Sequence, residues 1–213
     1  MREIEPYHNL EELKKAIDNG GRFYNLFTQA DDAVVSPGEL AKAAGVFTAG
    51  VDAFLFLELA QQNLSTQDQQ AVFNLLQPSL QKKFASARPK LLSPSAVESQ
   101  CEVDQSVVLT GYPRYLEDSS QFSGFIMVPV MVAGVMSLIP VPITDSYSIY
   151  ELFDDAAMTS ASATIATPKG KPFEHNGPIR VGGVTRKIEY KEEQPKRRQF
   201  FLETLYFTKL AAT

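Results

Sequence analysis

The segment from Gly124 to Ile143 constrains the fold most, because its twenty residues carry no charged side chain. A membrane-spanning helix needs about this length. However, Pro129, Pro140 and Pro142 would each remove a helical hydrogen bond. Eight of the twenty residues are valine or isoleucine, which favour strands. We therefore predict a β-hairpin at this segment and no membrane span.

The prolines also predict the register of this hairpin. If Ala133 and Gly134 form a two-residue loop, Val132 pairs with Val135. All three prolines then occupy positions whose N–H would point away from the partner strand. A three- or four-residue loop beginning at residue 132 would instead put Pro129 where its missing N–H is needed. The two-residue loop is therefore the predicted turn.

Both faces of the predicted hairpin are apolar, because successive residues alternate between the faces of a strand. Such a hairpin has to be covered on both sides. The first expectation is that it forms internal core between the helices and the rest of the sheet, and the alternative is an interface with a partner or a second copy. The candidate interface residues are Phe125, Met127, Val130, Val132, Met136 and Leu138.

Residues 1–90 carry helix start signals and are predicted to form three to five helices. Asn9 precedes LEELKKAID, and Ser36-Pro37-Gly38-Glu39 combines a hydroxyl cap, an early proline and a glutamate at the third position. Ser65 and Pro78 begin two further helices. The buried face of the helix after Ser36 is predicted to include Leu40, Ala44, Phe47, Val51 and Phe54, with a possible break at Gly45 or Gly50.

Residues 91–213 are predicted to be β-rich, and ARPKLLSPS marks the boundary between the two regions. Seven short runs of β-branched and aromatic residues follow, separated by turn residues. The segment between Thr167 and Pro178 is predicted to be a long exposed loop. The predicted fold class is α+β, with a helical N-terminal half packed with an antiparallel β sheet or partly closed β barrel of about seven strands. The runs are SVVLTGY, GFIMVPVMV, VMSLIPVPI, SYSIYELF, SATIAT, IRVGGVTRKIEYK and QFFLETLYFTKL.

Charge is unevenly distributed along the β-rich region. Residues 91–168 hold one basic and nine acidic side chains, whereas residues 169–213 hold ten basic and five acidic ones. The simpler interpretation is that the basic tail packs beside the acidic middle, so that the two charges offset each other. The alternative is head-to-tail self-assembly or binding of a charged partner.

A basic run near the C-terminus is the candidate site for a polyanion. Lys196, Arg197 and Arg198 are predicted to lie at a hairpin tip, with Arg186 and Lys187 on the preceding strand. Adjacent cations of this kind bind phosphate, RNA or acidic partners. The alternative is a solvated turn in which neighbouring glutamates balance the charge.

Signatures of catalysis and of metal or cofactor binding are missing from the sequence. Two histidines and the single Cys101 do not make a spaced zinc site. The carboxylate doublets Asp31-Asp32, Glu117-Asp118 and Asp154-Asp155 suit turns or helix ends better than acid–base chemistry. No catalytic residue, metal or cofactor is predicted, and an enzyme is the less favoured class.

These observations predict a non-catalytic binding or assembly module, a subunit of a larger complex or of a homo-oligomer. One alternative is nucleic-acid or polyanion binding through the basic tip of an OB-like barrel. Another is a small-molecule carrier or enzyme with a pocket in the β-rich half. A single cysteine and an N-terminus without an apolar signal segment favour a cytoplasmic location.

Overall fold

The computed structural model describes residues 1–21, 30–132, 135–168, 173, 177–188 and 198–211, and between residues 119 and 145 it describes only the backbone. Within these residues the chain forms six helices, mostly N-terminal, and seven strands, so the α+β class is confirmed. The helices are α1 (Leu10–Ile17), α2 (Pro37–Ala44), α3 (Val51–Ala60), α4 (Thr66–Leu75), α5 (Pro78–Ala87) and α6 (Val97–Gln100). The strands are β1 (Arg2–Glu3), β2 (Lys90–Leu92), β3 (Ser106–Val132), β4 (Val135–Phe153), β5 (Ser162–Pro168), β6 (Ile179–Lys187) and β7 (Phe200–Lys209).

The predicted helix starts are confirmed by their caps. The Asn9 side chain accepts the backbone N–H of Glu12 at 2.9 Å, and α1 follows directly. Ser36 and Glu39 form a capping box at the start of α2, in which each side chain accepts the backbone N–H of the other residue. Ser65 caps α4 by accepting from the third helical residue. Each cap satisfies a backbone donor that the helix itself leaves unpaired.

The predicted break after α2 is present, and two residues of the predicted buried face, Phe47 and Val51, are exposed. Val51, the first residue of α3, is 37% exposed. Gly45 adopts a φ of 73°, the left-handed conformation that ends a helix, and α3 begins only at Val51. Phe47 therefore lies in the connection between the helices, where it is 92% exposed. Its predicted place on a buried helical face is wrong, because the helical period does not continue through Gly45.

Helix α3 is the centre of the helical layer and packs on the outside of the sheet. Every residue from Ala53 to Ala60 is buried. Gly182 of β6 lets the helix approach, since a Cβ there would lie 3.2 Å from Leu55 Cδ2 and 3.3 Å from Leu59 Cδ1. The helices and the sheet consequently share one hydrophobic cluster, which includes Val108 of β3.

Five of the strands close into a barrel in the order β3-β4-β5-β7-β6 and back to β3. All neighbouring pairs are antiparallel except β5 and β7, which run parallel. Two short strands are added outside this ring, with β1 parallel to β7 and β2 parallel to β3. Because the barrel is closed, its available surfaces are the outer strand faces that the helices do not cover.

The seven predicted strand runs correspond to only five strands. SVVLTGY and GFIMVPVMV are parts of the single strand β3, while VMSLIPVPI and SYSIYELF are parts of β4. The turn expected between the first two runs is therefore wrong, and β3 instead accommodates register shifts at Tyr115/Glu117 and Phe122/Gly124. Bulges bend a strand without ending it.

The interior of the barrel is filled with side chains. Leu109, Leu152, Ile165 and Val181 belong to this buried cluster. Phe173 also belongs to it, because its ring packs edge-on against Tyr150 and Phe207 at centroid distances of 4.9 and 5.3 Å. The prediction of an exposed loop between Thr167 and Pro178 is wrong at Phe173, which is 8% exposed, while residues 169–172 and 174–176 lie outside the described part.

The N-terminal segment joins the helices to the barrel. The backbone carbonyl of Ala44, at the end of α2, accepts hydrogen bonds from Arg2 Nη1 at 3.0 Å and from the Tyr206 hydroxyl at 3.1 Å. Burial raises the pKa of Tyr206 to about 12, helped by the nearby carboxylate of Asp52. The phenol therefore stays neutral and keeps donating to the helix end across the physiological pH range.

Candidate binding surfaces

The predicted hairpin forms with the predicted register. Val132 pairs with Val135, leaving a two-residue connection, and Pro129 lies opposite Leu138. Pro140 and Pro142 lie opposite Met127 and Phe125, as the two-residue loop requires. The longer loops are excluded by this register. Ala133 and Gly134, the two predicted loop residues, lie outside the described residues.

Beyond the barrel, β3 and β4 continue as a two-stranded ribbon, here called the arm: Ser120–Val132 paired with Val135–Ser146. Strand β5 pairs with β4 only from Tyr147 onward, and β6 pairs with β3 only over Ser106–Gly111. No other described strand pairs with the arm. At about 3.3 Å per residue the arm is about 40 Å long.

The sequence-predicted interface residues all fall on the paired backbone of the arm. The structure describes their strand pairing and not their side chains. They are Phe125, Met127, Val130 and Val132 on β3, and Met136 and Leu138 on β4.

Arg198 is held on the outer face of the barrel. Its Nη2 lies 2.9 Å from Glu151 Oε1 and 2.6 Å from Ser162 Oγ, and its Nη1 lies 2.7 Å from Thr164 Oγ1. Three acceptors from β4 and β5 thus bind one guanidinium immediately before β7. Lys196 and Arg197, the other two residues of the predicted tip, lie outside the described residues.

Glu151 connects two arginines on this face. Besides Arg198 it forms an ion pair with Arg114 of β3, whose guanidinium carbon lies 4.6 Å from the centre of the Phe153 ring. Only 18% of the Glu151 side chain is exposed. A carboxylate between two guanidinium groups fixes both of them, so Arg198 has a structural role in the barrel surface in addition to its predicted role in polyanion binding. The sequence did not identify Glu151, because its partners are distant along the chain.

The candidate cation Arg186 is also held by carboxylates. Its Nε lies 2.9 Å from Glu203 Oε2, and a second guanidinium nitrogen pairs with Asp104. The hydrogen bond to Glu203 is the main cause of a raised Arg186 pKa. Lys187, the last residue of β6, is exposed.

The basic tail and the acidic middle of the β-rich region therefore meet within one barrel. Arg186 and Arg198 belong to residues 169–213, and their partners Asp104 and Glu151 belong to residues 91–168. This arrangement favours the simpler interpretation of the charge distribution, in which the two charges offset each other inside the chain.

The carboxylate doublets order turns and strands. Asp155 accepts hydrogen bonds from Ser160 and Thr159, which lower its pKa to about 2. Asp118 accepts from the Ser148 hydroxyl at 2.9 Å, and Asp32 accepts from the backbone N–H of Val34. Asp32 and Asp155 thus stabilise turns, as predicted from the sequence, whereas the prediction of a turn or helix end is wrong for Glu117-Asp118, which lies within β3.

Cys101 is buried, and burial is the main cause of its raised pKa, with Glu98 adding to it. Its thiol is consequently a weak nucleophile, as the surrounding acidic sequence predicts. Among the described residues there is no cluster of three or more histidine, cysteine or acidic side chains that could hold a metal ion. In the same residues, no helix is both long enough and apolar enough to cross a membrane.

Comparison of the chain with protein-family models and with curated proteins finds no match.

Proposed function

We propose that this chain is a non-catalytic assembly module whose arm inserts between neighbouring protein subunits. The observation that carries the proposal is the two-stranded arm, which extends beyond the last strand that the barrel provides. An isolated two-stranded ribbon is marginally stable in water. Residues 124–143 of this ribbon carry no charge, and no other described strand pairs with them, so burial against a partner would stabilise the ribbon.

The size of the arm favours insertion over simple stacking. Its uncharged part is about 30 Å long and about 10 Å wide, so one face presents roughly 300 Å² in projection. A stable interface buries about 800 Å² per partner. Two arms stacked through one face each would fall well short of this area. If both faces and the tip of the arm are buried between neighbouring subunits, the buried area approaches that of a stable interface.

The prolines favour contact through the faces of the arm over addition of another strand. Pro129 removes an outward donor from the β3 edge, and Pro140 and Pro142 remove two from the β4 edge. A strand added to either edge would lack these hydrogen bonds. The expected partner therefore supplies an apolar groove that encloses the arm.

A shortened arm tests this proposal. Gly124 and Ile143 lie opposite each other, so residues 125–142 can be replaced by Asn-Gly without a change of register. We expect the variant to fold with a cooperative unfolding transition, because the barrel strands and their core are untouched. By native mass spectrometry, we expect the full chain to form an oligomer or a complex and the shortened variant not to form it.

Two point variants serve as controls, because they alter the surface of the arm without changing its length. Met127→Lys and Val128→Lys introduce one charge each at adjacent positions, and successive positions of a strand alternate between its faces. Insertion between subunits predicts that each substitution alone disrupts assembly. Full assembly by the shortened-arm variant, or a bare monomer for the unaltered chain at every concentration tested, would contradict the proposal.

Polyanion binding is a second candidate, which the connectivity of the barrel favours. Counted along the barrel, the strand order is 1-2-3-5-4-1, with strands 3 and 5 parallel, as in OB folds. Such barrels bind oligonucleotides on the face of strands 2 and 3 and through two loops, one between strands 1 and 2 and one between strands 4 and 5. The first loop corresponds to the tip of the arm, whose residues 124–143 carry no charge. The other corresponding parts are the outer face of β4 and β5 and the β6–β7 connection that contains Lys196 and Arg197.

The test separates the loop cations from Arg198. We expect the double variant Lys196→Ala/Arg197→Ala to lower the affinity for a single-stranded oligonucleotide and to reduce its salt dependence. Arg198→Ala is a poor probe by itself, since it also removes three contacts within the barrel. Binding that the double variant leaves unchanged, measured by fluorescence anisotropy at two salt concentrations, would remove this candidate.

A further inference from the structure

A cleft of about 350 Å³ lies in the helical layer, between α4 and α5 and beside the end of α3. One wall is a single face of α4, because its residues follow one another at helical spacing. The opposite wall is the last turn of α5 and the residue after it. The α4 wall consists of Thr66, Gln69, Gln70 and Phe73, and the α5 wall of Phe84, Ala85 and Arg88.

Gln61, at the end of α3, is the most buried polar residue of this cleft, with 3% of its surface exposed. Within the described part of the chain, its side-chain amide makes no hydrogen bond, although its backbone carbonyl accepts from Gln69 Nε2 at 3.3 Å. The amide of the adjacent Gln62 also lacks a partner there, and both its polar atoms are sealed from solvent. Gln61 differs from Gln62 because it is one of the residues that line the cleft.

Arg88 supplies one positive charge to the same cleft. Its Nε and Nη2 donate to Glu58 at 3.0 and 3.1 Å, and the side chain remains 50% exposed. A guanidinium has five N–H donors, so three are not used by Glu58. Because Glu58 balances most of the charge, this pair suits a single carboxylate better than a doubly charged phosphate.

Two aromatic rings complete the cleft. Phe73 and Phe84 lie with their ring centres 6.3 Å apart, at an interplanar angle of 40°. The Arg88 guanidinium lies 5.7 Å from the centre of the Phe84 ring, so the charged and apolar parts of the cleft are adjacent. An apolar group and an anion on one small ligand can therefore bind together.

We infer that this cleft binds a small ligand that carries an amide, an apolar or aromatic group and one carboxylate. The ligand amide pairs with the Gln61 amide, which offers one donor group and one acceptor and has no hydrogen-bond partner among the described residues. The apolar group contacts Phe73 and Phe84, and the carboxylate takes the remaining donors of Arg88. N-acylated amino acids and the C-terminal residue of a peptide share this chemistry.

The size of the cleft limits the ligand to about one amino acid. Ligand pockets commonly range from about 300 to 1,000 Å³, so a cleft of about 350 Å³ is near the lower end. A ligand this small reaches a Kd on the order of a millimolar. The inference concerns the helical layer and does not depend on assembly through the arm.

The test is a titration of the isotope-labelled full chain with N-acetyl-L-phenylalanine, followed by NMR. We expect saturable shifts confined to the ends of α3, α4 and α5. N-acetyl-L-phenylalaninamide, which lacks the carboxylate, should bind about 10-fold more weakly or worse. A pentapeptide that ends in phenylalanine with a free carboxylate distinguishes the two ligand sources. If it binds more tightly than N-acetyl-L-phenylalanine, the cleft recognises the C-terminal residue of a peptide. If it binds more weakly, the cleft recognises the free acylated amino acid.

Two glutamine variants separate the cleft from general effects. Gln61→Leu should weaken binding about 10-fold or more while leaving the chain at least as resistant to urea, because it removes an unpaired amide. Gln67→Leu alters an exposed glutamine of α4 outside the cleft and should bind as the unaltered chain does. The inference is overturned by the absence of a saturable shift, by unchanged affinity in Gln61→Leu, or by an equal loss in both variants.

Discussion

Replacement of Gly183 by alanine is expected to destabilise the barrel by about 4 kcal/mol or more, which is among the largest effects of a single methyl group. A Cβ at this position would lie 2.2 Å from the backbone carbonyl oxygen of Glu203 on β7. The obstacle is main chain, so a change of side-chain rotamer cannot relieve it. Either β6 and β7 separate or both strands shift. The site also coincides with the register shift between Gly182 and Gly183, where the two strands are already bent.

Urea denaturation followed by circular dichroism checks this expectation, with two further glycines for comparison. Gly111→Ala should behave like Gly183→Ala, because its Cβ would lie 2.3 Å from the carbonyl oxygen of Phe153. Gly50→Ala should cost only about 0.5–1 kcal/mol, because nothing lies within 4 Å of its Cβ position and the loss is limited to the preference for glycine over alanine at the N-cap of α3. A stability loss at Gly50 as large as that at Gly183 would show that close backbone contact is not the cause.

The elements best predicted from the sequence are those that depend on residues close together in the chain. Asn9 and Ser36 cap helices through residues three positions away, and the pattern of such caps is visible in the sequence. The register of the arm follows from Pro129, Pro140 and Pro142, because a proline can occupy only the positions where no N–H is needed. In both cases a covalent property of one residue restricts its neighbours.

The sequence left open whether the strands form an open sheet or a partly closed barrel, and it did not predict the composition of the candidate surfaces, because both depend on residues far apart in the chain. Glu151 and Arg198 are separated by 47 positions, and Ser162 lies between them. In the sequence, Arg198 follows two cations and is interpreted as part of a basic tip. In the structure, the pairing of β5 with β7 places it beside three hydrogen-bond acceptors on β4 and β5. Phe173 is similar, because nothing near it in the sequence indicates that it fills the barrel.

Glu39→Ala is expected to cost about 3–5 kcal/mol, a large part of the 5–15 kcal/mol that stabilises a typical domain. Glu39 is completely buried, and its two carboxylate oxygens accept the backbone N–H groups of Gly20 and Ser36 at 2.8 Å each. Alanine would leave both donors without this acceptor in a buried site, at about 1–3 kcal/mol for each. The loss would loosen the connection from α1 to α2 as well as the start of α2.

The matched control is Glu12, which occupies the same third helical position in α1 on the exposed surface. Its carboxylate accepts the N–H of His8 at 3.4 Å, so Glu12→Ala should cost only about 0.5 kcal/mol. Glu39→Gln should fall between the two, because the amide retains one acceptor but turns a donor toward the other N–H. Free energies of unfolding for the three variants decide whether burial causes the difference. Equal losses for Glu12→Ala and Glu39→Ala would assign the effect to helix capping alone.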